Sequence, residues 1–208
     1  MTRVKICGIT SRDDLALVVE AGADAVGFTV AVDVDTPREI DPDLAADLIS
    51  ATPPFVTTVL VTMPDDIESA VELATRLRPD VVQIHGDSTP DDLRHLSANV
   101  RGAVIKAVSS DEASAYEAVA DALLVDSLDE AGAGGTGTTH DWARTRELVD
   151  ELDVPVVLAG GLTPANVTEA VDTVHPFAVD VASGVEADPG RKSPEAVSSF
   201  IQRAGGSS

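Results

Sequence analysis

Short apolar, β-branched runs recur eight times along this chain, each followed by a polar or glycine-bearing turn and then by a stretch of helical period. The runs lie at residues 4–7, 25–29, 55–61, 81–85, 103–107, 122–126, 155–159 and 177–181, with starts 19 to 33 residues apart. That spacing accommodates one strand, one helix and two connections. Consecutive strands therefore pair in parallel through right-handed crossovers. Helical periodicity is read, for example, over 11–21, 64–77, 89–98, 111–119, 141–152 and 163–174. Thr89-Pro90, Thr163-Pro164 and Ser193-Pro194 signal helix starts, each a capping hydroxyl followed by proline.

Eight such units in 208 residues predict an α/β chain built as a (β/α)₈ TIM barrel of eight parallel strands. The competing architecture is an open doubly wound sheet. It needs only about five or six strands, and its dinucleotide-binding form carries G-x-G-x-x-G after the first one. Here that strand runs into Cys7-Gly8-Ile9-Thr10. A single domain is expected over residues 1–208, with a frayed tail at about 204–208.

The charge narrows the partners. Lys and Arg number 14 against 36 Asp and Glu, a formal charge of −22. Nucleic acids and anionic membranes are excluded as partners, because binding them rests on cationic side chains. Asp exceeds Glu by 24 to 12 and lysine occurs three times, as Lys5, Lys106 and Lys192. Self-repulsion at this charge is relieved by screening, so the composition predicts adaptation to concentrated salt. A lone cysteine, Cys7, leaves no intramolecular disulfide, and the first residues, MTRVKICGIT, contain no long apolar stretch. The expectation is a cytoplasmic protein that does not enter a membrane.

In a barrel of this kind the chemistry sits where strands end. Lys5 and Cys7 share a face of the first strand, and an ammonium beside a thiol lowers its pKa, which makes Cys7 a candidate base or nucleophile. Packing as a small hydrophobe is the other reading. Asp126 closes the sixth strand, where partial desolvation suits a carboxyl for general acid work. Asp180, between Val179 and Val181, is placed to pair with Lys5 inside the barrel. Gln83 and His85 share a face at the end of the fourth strand, where His85 either orients substrate or is a satisfied polar residue. Gly160-Gly161 and Ser183-Gly184 follow the seventh and eighth strands, where barrel phosphate sites are frequently built, and glycine lets backbone N–H groups close on an anion. The stretch 132–137 is glycine-rich and reads as a mobile lid. Arg38, in Thr36-Pro37-Arg38-Glu39-Ile40, could fork onto a substrate carboxylate or onto a neighbouring acid.

Taken in order, the segments Lys5-Ile6-Cys7-Gly8-Ile9-Thr10, Thr36-Pro37-Arg38-Glu39-Ile40, Val82-Gln83-Ile84-His85-Gly86-Asp87, Leu124-Val125-Asp126-Ser127, Gly135-Thr136-Gly137 with Asp141-Trp142, Leu158-Ala159-Gly160-Gly161-Leu162 with Asn166-Val167, and Asp180-Val181-Ala182-Ser183-Gly184-Val185-Glu186 with Gly190-Arg191-Lys192 resemble the phosphoribosylanthranilate isomerase family. They span residues 5 to 192. The resemblance implies an Amadori rearrangement with Asp126 as general acid and Cys7 as general base. It places the anthranilate carboxylate on Arg38 and the phosphate on backbone donors at Gly160, Gly161, Ser183 and Gly184. Lys5, Gln83, His85 and Asp180 are further candidates for substrate contact. No metal and no organic cofactor is implied. The partner would be a small phosphorylated anion, bound by a monomer or a homodimer. Other phosphosugar barrels, of the ribulose-phosphate epimerase or thiamine-phosphate synthase kind, are the enzymatic alternatives. An epimerase would need inward metal-ligand histidines, and only His85 ends a strand. A non-catalytic phosphosugar-binding barrel would most easily arise by loss of Cys7 or Asp126, and both are present. Few aromatic stacking partners for the ring remain in the segment 27–35.

Overall fold

The computed structural model describes residues 1–126 and 142–205. Eight strands close into a parallel barrel: β1 (Arg3–Ile6), β2 (Ala25–Thr29), β3 (Thr57–Thr62), β4 (Val81–Ile84), β5 (Ala103–Val108), β6 (Ala122–Val125), β7 (Val156–Leu158) and β8 (Ala178–Val181). Each pairs with the next, and β8 returns to β1 with Lys5 opposite Asp180. The crossovers carry α1 (Arg12–Glu20), α2 (Pro42–Ala51), α3 (Ile67–Leu77), α4 (Pro90–Asn99), α5 (Ala113–Tyr116), α6 (Trp142–Glu151), α7 (Val167–Val174) and α8 (Pro194–Gly205).

Alternation along the strands separates two cores. Outward residues such as Ile6, Val26, Phe28, Leu60, Ile84, Leu123, Leu158 and Val179 are fully or almost fully buried against the helices. Inward residues form two smaller groups, one of Ala107, Leu124, Val157, Ala159 and Ala178, the other of Cys7, Val59 and Val61. Most of these inward side chains are short, as the narrow interior of a closed barrel requires. Gly27 shows how tight the fit is: a Cβ there would lie 2.8 Å from the Cys7 sulfur. The glycine on β2 therefore makes room for the thiol on β1.

The acidic composition also shapes the helices. Asp41 and Asp66 are N-caps, each accepting a backbone N–H from the first turn. Thr89 and Asp92 form a reciprocal capping box on α4, which satisfies two of the otherwise orphaned donors there.

Several expected boundaries move. Phe55 is not in a strand: it is fully exposed, has φ of 73°, and β3 starts only at Thr57. Phe177 lies outside β8, partly exposed under the Arg3 guanidinium, 4.3 Å from the ring centroid. The helix expected over 111–119 is a single turn, since Ser109 is tied to Glu112 and the chain turns again after Tyr116 to reach β6. Thr163-Pro164 opens a turn rather than a helix. There the Asn166 side chain accepts from the Thr163 N–H and donates to the Gly161 carbonyl, and α7 begins at Val167. A hairpin of β9 (Glu186–Asp188) and β10 (Arg191–Lys192) follows β8 and a 3-10 turn at Ser183–Val185, none of it anticipated as structure. Of the tail expected at about 204–208, Ala204 is instead packed at 1% exposure within α8, which runs to Gly205, and residues 206–208 lie outside the described residues. No helix among the described residues is long and apolar enough to cross a membrane.

Candidate active site

The carboxyl ends of the strands surround a cavity of about 370 Å³. Cys7 from the end of β1, Thr29 from β2, Val61 from β3, Gln83 and His85 from β4, Asp126 after β6, Ala159, Gly160 and Gly161 after β7, and Asp180, Ser183 and Gly184 from the β8 end all line it. Val32 and residues 34–38 of the β2–α2 loop form its outer wall, Arg38 included. Every site residue expected from the sequence lies on this wall except Lys5, which sits one layer deeper. The glycine-rich stretch 132–137 lies outside the described residues.

Lys5 and Asp180, partners in register, form an ion pair of 3.0 Å between Nζ and Oδ2, both almost fully buried. Burial pushes the Lys5 ammonium down, but Asp180 and then Cys7 outweigh it, and the net shift is upward. The consequence for Cys7 corrects the sequence expectation. Burial pushes the thiol up, Lys5 pulls it down, Asp180 pushes it up again, and the thiol ends above its ordinary value of 9.0. The cation is present, as expected, but its charge is largely committed to Asp180. In the ligand-free protein Cys7 is thus a protonated, 8% exposed thiol. Alkylation by iodoacetamide at pH 8 should therefore run more slowly than that of an ordinary exposed thiol, because burial both raises the thiol pKa and limits access to the sulfur. Reaction as fast as a free thiol would contradict this electrostatic balance.

Gln83 and His85 form a pair. The Gln83 amide nitrogen lies 2.7 Å from His85 Nε2 and donates to it, so the ring carries its proton on Nδ1. Desolvation, with the Lys5 and Lys106 ammoniums, lowers the His85 pKa to about 3, so the ring is neutral at physiological pH. Gln83 Oε1 and Asp180 Oδ1 are both buried without a hydrogen-bond partner among the described residues. A buried acceptor left unmade costs about 1–3 kcal/mol, so two such oxygens at one cavity suit a ligand bearing hydroxyl donors.

The loops after β7 and β8 stack backbone on backbone. Gly160 and Gly161 both have positive φ, 86° and 62°. A Cβ on Gly184 would fall 1.9 Å from the Leu162 carbonyl oxygen, which no adjustment short of moving a loop would relieve. The glycine requirement at these positions is thus met first by the turn and by the contact between the two loops.

Arg38 is already engaged. Its Nε and Nη2 reach the two carboxylate oxygens of Glu186 at 2.8 and 2.9 Å. Of the two partners the sequence allowed, an acid of the chain is the one seen. Glu186 Oε1 also accepts from Lys192 Nζ at 3.0 Å, and the same ammonium donates to the Ala182 carbonyl at 3.1 Å. Burial pushes the Glu186 carboxyl up, but the Arg38 hydrogen bonds and Lys192 outweigh it and hold it below the usual glutamate range. Sequence reasoning quoted Glu186 and Lys192 without assigning them a role. The signal was Asp188-Pro189-Gly190, a turn between two short arms that sets Glu186 opposite Lys192.

Lys106 was not singled out either. It points outward from β5, where Nζ donates to the Gly86 carbonyl at 2.5 Å and lies 5.6 Å from the Tyr116 ring centroid. The Tyr116 hydroxyl donates to the Ser88 carbonyl, so the loop that follows His85 is held at two points. Burial lowers the Lys106 pKa to about 8, against the opposing pull of Glu112 and Asp87. Among the described residues, no group of three or more His, Cys, Asp or Glu side chains is placed to hold a metal ion.

Residues 4–203 match the family model described as N-(5'-phosphoribosyl)anthranilate (PRA) isomerase. A relative of that name from Natronomonas pharaonis is 63% identical over 206 residues, covering 99% of each chain. The crystal structure of phosphoribosyl anthranilate isomerase from Thermotoga maritima superposes with a TM-score of 0.89 at 39% identity, over 99% of this chain and 100% of that one. A structure of the same kind of enzyme in complex with reduced 1-(o-carboxyphenylamino)-1-deoxyribulose 5-phosphate has a TM-score of 0.85 at 38% identity, with the same coverage.

Proposed function

The chain belongs to the N-(5'-phosphoribosyl)anthranilate isomerase family, and from that premise we propose how its own residues carry the reaction. The reaction is the Amadori rearrangement of N-(5'-phosphoribosyl)anthranilate to 1-(2-carboxyphenylamino)-1-deoxyribulose 5-phosphate, an aldose-to-ketose isomerisation. Asp126, as its carboxylic acid, gives a proton to the furanose ring oxygen. The C1–O bond breaks, and the lone pair of the anthranilate nitrogen forms C1=N. Cys7, as thiolate, takes the C2 proton, and the C2–H electrons form C1=C2 while the C=N pair returns to nitrogen. The enolamine then moves a proton from the C2 hydroxyl to C1, leaving the ketone. The cationic imine forming beside Cys7 supplies the charge that favours the thiolate, a charge Lys5 alone does not provide while bound to Asp180.

The observation that carries this reading is the presence of Cys7 and Asp126, brought from non-neighbouring strands, on the wall of one cavity with an arginine at its rim. The substrate phosphate lies on backbone N–H groups of Gly160, Gly161, Ser183 and Gly184. The anthranilate carboxylate lies at Arg38, on the side not taken by Glu186. The unpartnered oxygens of Asp180 and Gln83 accept from the sugar hydroxyls, with His85 fixing the Gln83 amide and Lys5 fixing Asp180. Val32, Val34 and Met63 beside Arg38 offer an aliphatic surface for the ring, in place of aromatic stacking. A fluorescence assay in multimolar KCl tests the activity: phosphoribosylanthranilate should disappear with turnover, and its persistence would overturn the assignment.

The salt adaptation is part of the same proposal. With −22 formal charges on 208 residues, screening over ~10 Å at about 0.1 M and ~3 Å at about 1 M ionic strength should relieve self-repulsion progressively. The melting temperature should rise from low to multimolar KCl. A flat or falling curve would contradict the adaptation.

A further inference from the structure

We propose that Glu186 is a positioning residue which, through Arg38, sets the specificity of this site for a substrate bearing a carboxylate on its amine substituent. The inference rests on the reading of Arg38 as the carboxylate clamp and adds the element that holds it.

Arg38 comes from a loop rather than a strand, and its side chain is 25% exposed. An arginine so placed has many rotamers open to it and would lose that side-chain entropy if a ligand had to order it. Glu186 removes that freedom before the ligand arrives. Its side chain is 6% exposed, and it takes Nε and Nη2 of the fork at once, which fixes the plane of the guanidinium. The stem is fixed as well, for a Cβ on Gly8 would lie 2.7 Å from Arg38 Cδ. Arg38 therefore lies against the residue that follows Cys7, next to the reacting end of the cavity.

Glu186 is itself held. Lys192, whose side chain has 0% exposure, donates to it and to the Ala182 carbonyl immediately before Ser183-Gly184. The Lys192 N–H reaches Asp14 Oδ1, and Gly190 lies against the Pro37 carbonyl, where a Cβ would come within 2.6 Å. The β9–β10 hairpin thus spans the two anion-binding ends of the cavity. Two cations meet the Glu186 side chain there, and the Asp14 carboxylate reaches only the Lys192 main chain, so Glu186 does not cancel the charge of both. That surplus suits a second carboxylate on Arg38, and the buried pairing keeps Glu186 ionised to balance the rest.

The test compares two ligands on the full chain in multimolar KCl: reduced 1-(o-carboxyphenylamino)-1-deoxyribulose 5-phosphate and its analogue lacking the ring carboxylate. Glu186→Gln should weaken the carboxylate-bearing ligand on the order of tenfold or more, with the other changed by less than about twofold, since one charge-assisted contact is worth that much. Glu186→Asp, which keeps the charge, should recover part of the loss, and KM should rise with kcat largely kept. Equal weakening of both ligands would make Glu186 a structural residue and overturn the proposal. Tighter binding of the carboxylate-bearing ligand would make Glu186 a competitor and overturn it too. Arg38→Ala separates the premise: if that substitution does not weaken the carboxylate-bearing ligand more than its analogue, the clamp reading fails and takes the proposal with it. Selective weakening by Arg38→Ala without selective weakening by Glu186→Gln overturns the proposal alone.

Discussion

Replacing Asp126 with Asn should lower kcat and kcat/KM together by ~10²–10⁴-fold, the range over which a positioned general acid acts. Asn keeps the size and the hydrogen-bonding capacity of the side chain but has no acidic proton to give to the ring oxygen, so opening the sugar becomes the slow step. Binding of the reduced product analogue should change little, since the lost interaction belongs to the transition state. The variant also has a pH signature. With the acid gone, the remaining demand is for the Cys7 thiolate, whose pKa burial holds above 9.0. Residual kcat/KM should therefore climb with pH, about tenfold per unit, until the thiol ionises. A variant retaining activity within tenfold of the parent, or a residual rate indifferent to pH, would refute the assignment of the acid.

Cys7→Ala should cause a loss of similar size by the other route. The Cα–Cβ position is retained and Gly27 still fits beside it, so the barrel has no reason to rearrange, and only a small void is left inside. Ring opening through Asp126 continues, but nothing abstracts the C2 proton. Binding of the reduced product analogue should be kept, which separates loss of the base from damage to the fold. If Cys7→Ala keeps kcat, the base lies elsewhere. Cys7→Ser should resemble Cys7→Ala rather than the parent, for a hydroxyl is a far weaker acid than a thiol and yields less of the basic form.

Much of the architecture was legible because it is periodic. Runs of β-branched residues at 19 to 33-residue spacing admit few arrangements, and strand alternation then assigns Lys5, Cys7, Gln83, Asp126 and Asp180 to one face. Features set by single contacts were not legible. The Asn166 side chain turns Thr163-Pro164 from a helix start into a loop, and a closed distance to β6 shortens α5 to one turn. The direction of the Cys7 shift was missed for a related reason. Strand position already suggests Asp180 as the partner of Lys5, seen at 3.0 Å, but how far burial and the Asp180 charge outweigh the ammonium beside the thiol depends on the closed barrel. Arg38 shows the difference most plainly. The chain offers it 36 carboxylates, and local sequence has no means of choosing one 148 positions away.

By itself, then, the sequence determined the barrel, the family and the few candidate side chains for acid–base work, because each follows from local pattern: period 2 along strands, glycine and proline at turns, rare polar residues at strand ends. The tertiary structure decided which charges neutralise which. It bound Arg38 and Lys192 to Glu186, buried the Lys5–Asp180 pair that strand position suggested, and left Gln83 Oε1 and Asp180 Oδ1 buried without a partner among the described residues. Electrostatic energy varies with distance and burial, and both are properties of the closed ring rather than of any one strand.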